Sequence, residues 1–163
     1  MNEKTKSKIL LGIYLLLLVW IILFKLSYRF SDLITPRSIN LIPFYYPHET
    51  SFHLSEVIDN ILIFIPLGIL LKMLNTSNTK TILLGLSFSF LLETLQFILS
   101  IGASDITDII TNTTGTLFGL TFYLTLNKIF KDKIKINKIL NGIGTIVAVL
   151  FISLIILLII SNQ

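Results

Sequence analysis

Two carboxylates and an amide stand in the run Ser104-Asp105-Ile106-Thr107-Asp108-Ile109-Ile110-Thr111-Asn112-Thr113-Thr114-Gly115-Thr116-Leu117-Phe118-Gly119. Wound as an α-helix at about 100° per residue, Asp105, Asp108, Asn112, Gly115 and Gly119 share one stripe about 80° wide. Ile106, Ile109, Ile110, Thr113 and Leu117 take the opposite side, so the polar stripe is expected to face other helices while the rest meets lipid. Carboxylates at membrane depth cost several kcal/mol unless paired or hydrated, which makes Asp105 and Asp108 candidates for chemistry or binding.

Glu93 and Gln96 add a polar pair in another apolar run, three residues apart and so on one helical face. The candidate catalytic or ion-binding carboxylates are therefore Glu93, Asp105 and Asp108. The candidate binding residues are Arg37, Asn40, Asn60, Glu93, Gln96, Asp108 and Asn112. These residue types leave three chemistries open. Carboxylates can take a hard divalent cation, which prefers oxygen ligands. Two carboxylates can act as acid and base once burial and mutual repulsion separate their affinities for a proton. Arg37 with an outer lysine can hold a phosphate or carboxylate head group.

Each candidate also has a purely structural reading. Ser104 can cap a helix, and a carboxylate in the first turn is favoured by the helix dipole, which accounts for Asp105 without function. Glu93 can be a helix-joining hydrogen bond to Asn112 or Gln96, and Gly115 with Gly119 is a small-xxx-small pattern whose ordinary meaning is close helix packing. His48-Glu49 precedes His53, but the metalloprotease helix places its histidines four apart and these are five apart, among prolines that favour a loop. No metal and no cofactor is assigned on this sequence.

The elements that must position these groups follow from composition. The chain has 163 residues, 53% hydrophobic and 13% charged, with a mean hydropathy of +0.86, far too apolar for a soluble domain of this size. There is no cysteine, which removes disulfides, thiolate catalysis and Cys-based metal sites. The fold class expected is an all-α integral membrane protein, a single domain over 1–163, with about five transmembrane helices over 9–26, 57–74, 81–101, 105–126 and 139–160. The first run lacks a small-x-small cleavage site and reads as an uncleaved span rather than a signal peptide. Ile39-Asn40-Leu41-Ile42-Pro43-Phe44-Tyr45-Tyr46-Pro47 is too short to span and suits a segment in the interface or dipping into the protein.

Of 13 Lys and Arg, three precede the first span, two lie over 72–80 and five over 128–138. The opposite side holds only Lys25, Arg29 and Arg37. The positive-inside bias then puts the N-terminus in the cytoplasm and the C-terminus outside. The basic residues sit at helix ends rather than on one face, so nucleic acid is not an expected partner. In this orientation Glu93, Asp108, Asn112 and Asn60 converge on the outer half of the membrane, and a polar pocket opening outward is expected.

Four blocks make the chain recognisable: Arg37-Ser38-Ile39-Asn40-Leu41-Ile42-Pro43-Phe44, Asn60-Ile61-Leu62-Ile63-Phe64-Ile65-Pro66-Leu67-Gly68, Glu93-Thr94-Leu95-Gln96, and Asp105-Ile106-Thr107-Asp108-Ile109-Ile110-Thr111-Asn112-Thr113-Thr114-Gly115. In order and spacing, over 37–119, the chain resembles the VanZ-like family of small membrane proteins. Many of that family carry an arginine shortly before the paired aspartates, where this chain reads Ser100-Ile101-Gly102-Ala103-Ser104.

The resemblance implies a multi-pass protein of the cell membrane that contributes to resistance against the glycopeptide antibiotic teicoplanin, by a mechanism it does not supply. The partners it suggests are membrane lipid and either a lipophilic glycopeptide or a lipid-linked envelope precursor. The alternative is a membrane enzyme acting on an envelope lipid or lipid-linked cell-wall precursor through Glu93, Asp105 and Asp108. A transporter fits less well, because no internal repeat is visible and the polar residues do not continue to the cytoplasmic side.

Overall fold

Backbone in hydrocarbon must satisfy its own N–H and C=O groups, and a helix does this segment by segment. The structure, a computed structural model, describes residues 2–24, 37–45 and 52–161. Its elements are α1 (Glu3–Phe24), β1 (Ile39–Asn40), α2 (Phe52–Met73), α3 (Asn78–Leu99), β2 (Ser104–Asp105), α4 (Ile106–Phe130) and α5 (Lys133–Ser161). Helices α1, α2, α3 and α5 are long and apolar enough to cross a membrane, and the chain is an all-α membrane protein. At 25 residues α4 is longer than α2 or α3, but its Asp, Asn and Thr residues keep it out of that group.

The helices extend beyond the apolar runs at most of their ends. Hydropathy marks where hydrocarbon lies, whereas a helix continues until a cap or a turn stops it. Thus α3 begins after Ser77, whose hydroxyl accepts from Lys80 N, and α4 ends at Lys131 in the left-handed region with φ 52°. Lys25, Arg29, Tyr46, His48 and Glu49 lie outside the described residues.

Packing fixes the relative directions. Ser7 donates to Asn141 Oδ1 at 3.0 Å and Gly144 packs against Leu10, so α1 and α5 run parallel. Leu10 clusters with Leu70 and Met73, and the Tyr14 hydroxyl donates to Ile63 O at 2.6 Å, so α2 runs back along α1. Gly115 meets Ile61 and Phe64 while Gly119 meets Ile65 and Ile69, which makes α2 and α4 parallel. Gly85 lies against Thr116 and Ser89 against Asn112, so α3 is antiparallel to α4.

This alternation brings the N-terminus, the α2–α3 turn and the α4–α5 turn to one end. Lys133 donates to Asn75 Oδ1 there. Every described lysine belongs to this end, and Arg37 lies at the other.

Candidate functional site

The site begins with how α3 stops. Ser100 adopts φ 56° and ψ 42°, and Ile101 N donates back to Gln96 O at 3.1 Å, a left-handed ending that reverses the chain. The reversed segment enters the protein, burying Ile101 and Gly102. Ser104 and Asp105 then pair in parallel with Ile39 and Asn40, so two residues of the short run before Phe44 form a strand, while the run itself stays exposed apart from the half-buried Asn40. Non-helical backbone at membrane depth is tolerated where protein surrounds it.

Glu93 is the anchor for this descent. Its Oε2 accepts from Asp105 N at 2.9 Å, and its backbone carbonyl accepts from Ser104 Oγ at 2.7 Å. Glu93 stands six residues before the end of α3, which is about 9 Å at 1.5 Å per residue. The start of α4 is therefore recessed by that depth rather than level with the end of α3. From α2, Asn60 Nδ2 donates to Asp108 Oδ1 at 2.8 Å. Asn60 lies eight residues inside its helix, about 12 Å by the same rise.

Asp105 is not part of the α4 stripe. It is the N-cap, with φ −122° and ψ 127°, and its Oδ1 accepts from Thr107 N at 2.7 Å. Asn40 Nδ2 holds the other oxygen at 3.0 Å. The expected cap, Ser104, instead serves α3, because the strand pairing places Asp105 one residue before the first helical turn. Capping geometry and the helix dipole account for the placement of Asp105 at the start of α4.

Asn112 donates to Ser89 Oγ at 3.0 Å, and Gln96 donates to Ile22 O on α1 at 3.2 Å. Glu93 thus bonds to the Ser104–Asp105 strand rather than to Asn112 or Gln96, and Glu93 and Gln96 serve different neighbours despite sharing a face. Among the described residues, Glu93 Oε1, Gln96 Oε1 and Asn112 Oδ1 are buried without a hydrogen-bond partner. A buried acceptor left unmade costs about 1–3 kcal/mol. These atoms suit hydroxyl, amide or ammonium donors rather than another anion. Glu93 also lies near enough to Asp105 and Asp108 for like charges to repel.

Arg37 does not balance the aspartates. Its Nε donates to Ser100 Oγ at 2.9 Å and its Nη2 to Ile98 O at 3.2 Å, while the guanidinium sits 5.7 Å from the Phe97 ring centre. A cation on the last carbonyls of α3 complements that helix dipole. Among the described residues no three His, Asp or Glu side chains come together as a metal site. With both Asp105 oxygens engaged locally, the enzymatic alternative likewise gains no support.

The sequence stripe missed Ser89, Ser104 and Thr107, whose Oγ1 accepts from Phe44 N at 3.0 Å. For Ser89 the signal was present: Gly85, Ser89, Glu93 and Gln96 recur at helical spacing and all are buried. Among the described residues a cavity lies elsewhere, between α1, α2 and α5. Its volume is about 380 Å³ and its lining is apolar, so an outward polar pocket is not what this cavity is.

Among the described residues five helices, four of them long and apolar, with carboxylates and amides gathered at one recessed helix start, define a small helical membrane protein with a polar junction inside it. The VanZ/LLP1 family profile matches residues 11–130, and the chain belongs to this VanZ-like family. It is 40% identical over 157 residues to Protein VanZ of Enterococcus faecium, covering 91% of this chain and 92% of that one. No solved structure matches it.

Proposed function

We propose that this chain is a multi-pass protein of the cell membrane, acting as one unit over its whole length, that lowers susceptibility to the lipophilic glycopeptide teicoplanin. The observation that carries this reading is the 40% identity to Protein VanZ across 91% of the chain. The lysines gathered at one end favour that end as cytoplasmic, which turns the Glu93–Asp105–Asp108 junction toward the outer leaflet. Glycopeptides act outside the membrane, and teicoplanin carries an acyl tail. An outer-leaflet site of buried acceptors suits a donor-rich ligand held at the bilayer, either that drug or the lipid-linked envelope precursor it competes for.

In this reading Asp108, Asn60, Asn112 and Glu93 bind, Asn40 and Gln96 hold the junction in place, and Arg37 fastens the strand segment to the end of α3. The test compares a strain carrying the gene with its deletion and with Asp108→Asn. The expected outcome is a loss of teicoplanin resistance in both, with the response to vancomycin, which lacks the acyl tail, nearly unchanged. Equal loss for the two drugs would overturn the membrane-level reading.

A further inference from the structure

The cavity between α1, α2 and α5 takes no part in the junction above. It spans Ile63 to Met73 on α2 and Leu140 to Phe151 on α5, lengths of about 15 and 17 Å at 1.5 Å per residue. A bilayer's hydrocarbon core is about 30 Å thick, so each leaflet supplies about 15 Å of acyl chain. The cavity is one leaflet long, and that leaflet is the one at the lysine-rich end, where Leu10, Met73 and Leu140 line its last turn. Its volume of about 380 Å³ falls within the roughly 300–1,000 Å³ of ligand cavities.

Its chemistry is narrow. The hydroxyl of Tyr14, which reaches the lining, already donates to Ile63 O, and the other lining side chains are hydrocarbon apart from the thioether of Met73. Such walls recognise an aliphatic chain. The mouth differs. Lys133 lies on the same α5 stripe as Leu140 and Val147, at i, i+7 and i+14, and Lys72 adjoins Met73 in sequence. Lys72 donates to Thr76 O and Asn78 Oδ1 and Lys133 to Asn75 Oδ1, all neutral acceptors. The two ammonium groups are near enough to repel each other. An apolar slot one leaflet long therefore ends at two adjacent cations held by neutral groups.

We propose that the cavity holds one acyl chain of an anionic phospholipid from the leaflet at the lysine-rich end, with Lys72 and Lys133 at its phosphate. A helix from a second copy is the competing occupant. It would follow α5 to Ser161, whereas the cavity stops at Phe151. This site is independent of the resistance reading, since none of its lining residues belongs to the junction and its test measures bound lipid.

The test is native mass spectrometry of the full chain purified in mild detergent, then offered phosphatidylglycerol and phosphatidylcholine in equal amounts. One phospholipid per chain is expected, with phosphatidylglycerol preferred. Ala148→Trp should fill the slot and lower the bound fraction roughly tenfold or more, because each excluded methylene weakens retention. Ser153→Trp, exposed on α5 and outside the lining, should leave it intact. The double variant Lys72→Gln with Lys133→Gln should cut the preference for phosphatidylglycerol roughly thirtyfold, the effect expected of two lysines at an anionic surface. Equal binding of the two lipids by the unmodified chain, undiminished lipid in a helical Ala148→Trp, or a dimer mass without lipid would each overturn the proposal. Should Ala148→Trp lose its helicity, the lysine pair decides alone.

Discussion

Asn60 and Asp108 meet across 2.8 Å, the amide of one donating to the carboxylate of the other, and so tie together two helices that run in the same direction. Parallel neighbours in a chain this short are joined through an intervening helix, here α3. Side-chain bonds between helices in lipid are worth about 0.6 kcal/mol on average and up to about 1.7.

A double-mutant cycle over Asn60→Ala and Asp108→Ala should therefore return a coupling of about 0.6–1.7 kcal/mol. Unfolding in detergent, followed by far-ultraviolet circular dichroism, measures it. Asp108→Ala should be the costlier single change, because Asp108 makes a further interaction besides this one. Additive losses from the two substitutions would mean that the pair does not couple the helices.

The same two helices touch along glycine. A Cβ on Gly119 would lie 2.0 Å from Ile65 O and one on Gly115 2.2 Å from Ile61 O, so the backbones themselves must separate if either is enlarged. Gly119→Ala is expected to destabilise by about 1–3 kcal/mol or more, the cost of overpacking a closed interface. Gly12→Ala meets nothing within 4 Å and should instead gain about 0.5–1 kcal/mol from helix propensity. Thermal unfolding of the two variants side by side separates these outcomes.

How far the sequence could be read follows from which signals are local. Hydropathy over 18 or more residues located α1, α2, α3 and α5, because the bilayer imposes the length and the composition together. Gly115 and Gly119 were legible as packing residues for the same reason: small side chains four apart have one common use. The descent of Ser104 and Asp105 was not legible. It depends on Ile39 and Asn40 pairing with them from more than sixty residues away, and on Ser100 taking a left-handed conformation that serine shows only in context. Reading Asp105 into the helix put it on the polar stripe, while the pairing register made it the cap. The apolar cavity was equally hidden, since a lining of Leu, Ile and Val looks in sequence like any lipid-facing surface.

Glu93 offers a sharper separation of structure from charge. Its Oε2 accepts from Asp105 N, a role that a glutamine carbonyl can fill, whereas alanine leaves the buried N–H unpaired. Glu93→Gln should stay within about 1 kcal/mol of the parent and Glu93→Ala should lose about 1–3 kcal/mol, the cost of an unmade buried bond. If Glu93→Gln keeps its stability and still loses teicoplanin resistance, the charge acts in function rather than in holding the strand.

Orientation decides whether any of this faces the drug, and the absence of cysteine makes it measurable with single substitutions. Ala103 is exposed beside the junction and Lys80 is exposed at the lysine-rich end. With that end in the cytoplasm, Ala103→Cys should react with a membrane-impermeant thiol reagent in intact cells. Lys80→Cys should react only after permeabilisation. The reverse pattern would place Asp108 and Glu93 on the cytosolic side, out of reach of an antibiotic that never crosses the bilayer, and the resistance reading would then need a cytoplasmic substrate. Because the lysines occupy three separate segments that the packing brings to one end, a single mislabelled position cannot produce that reversal. The whole bundle would have to be inverted.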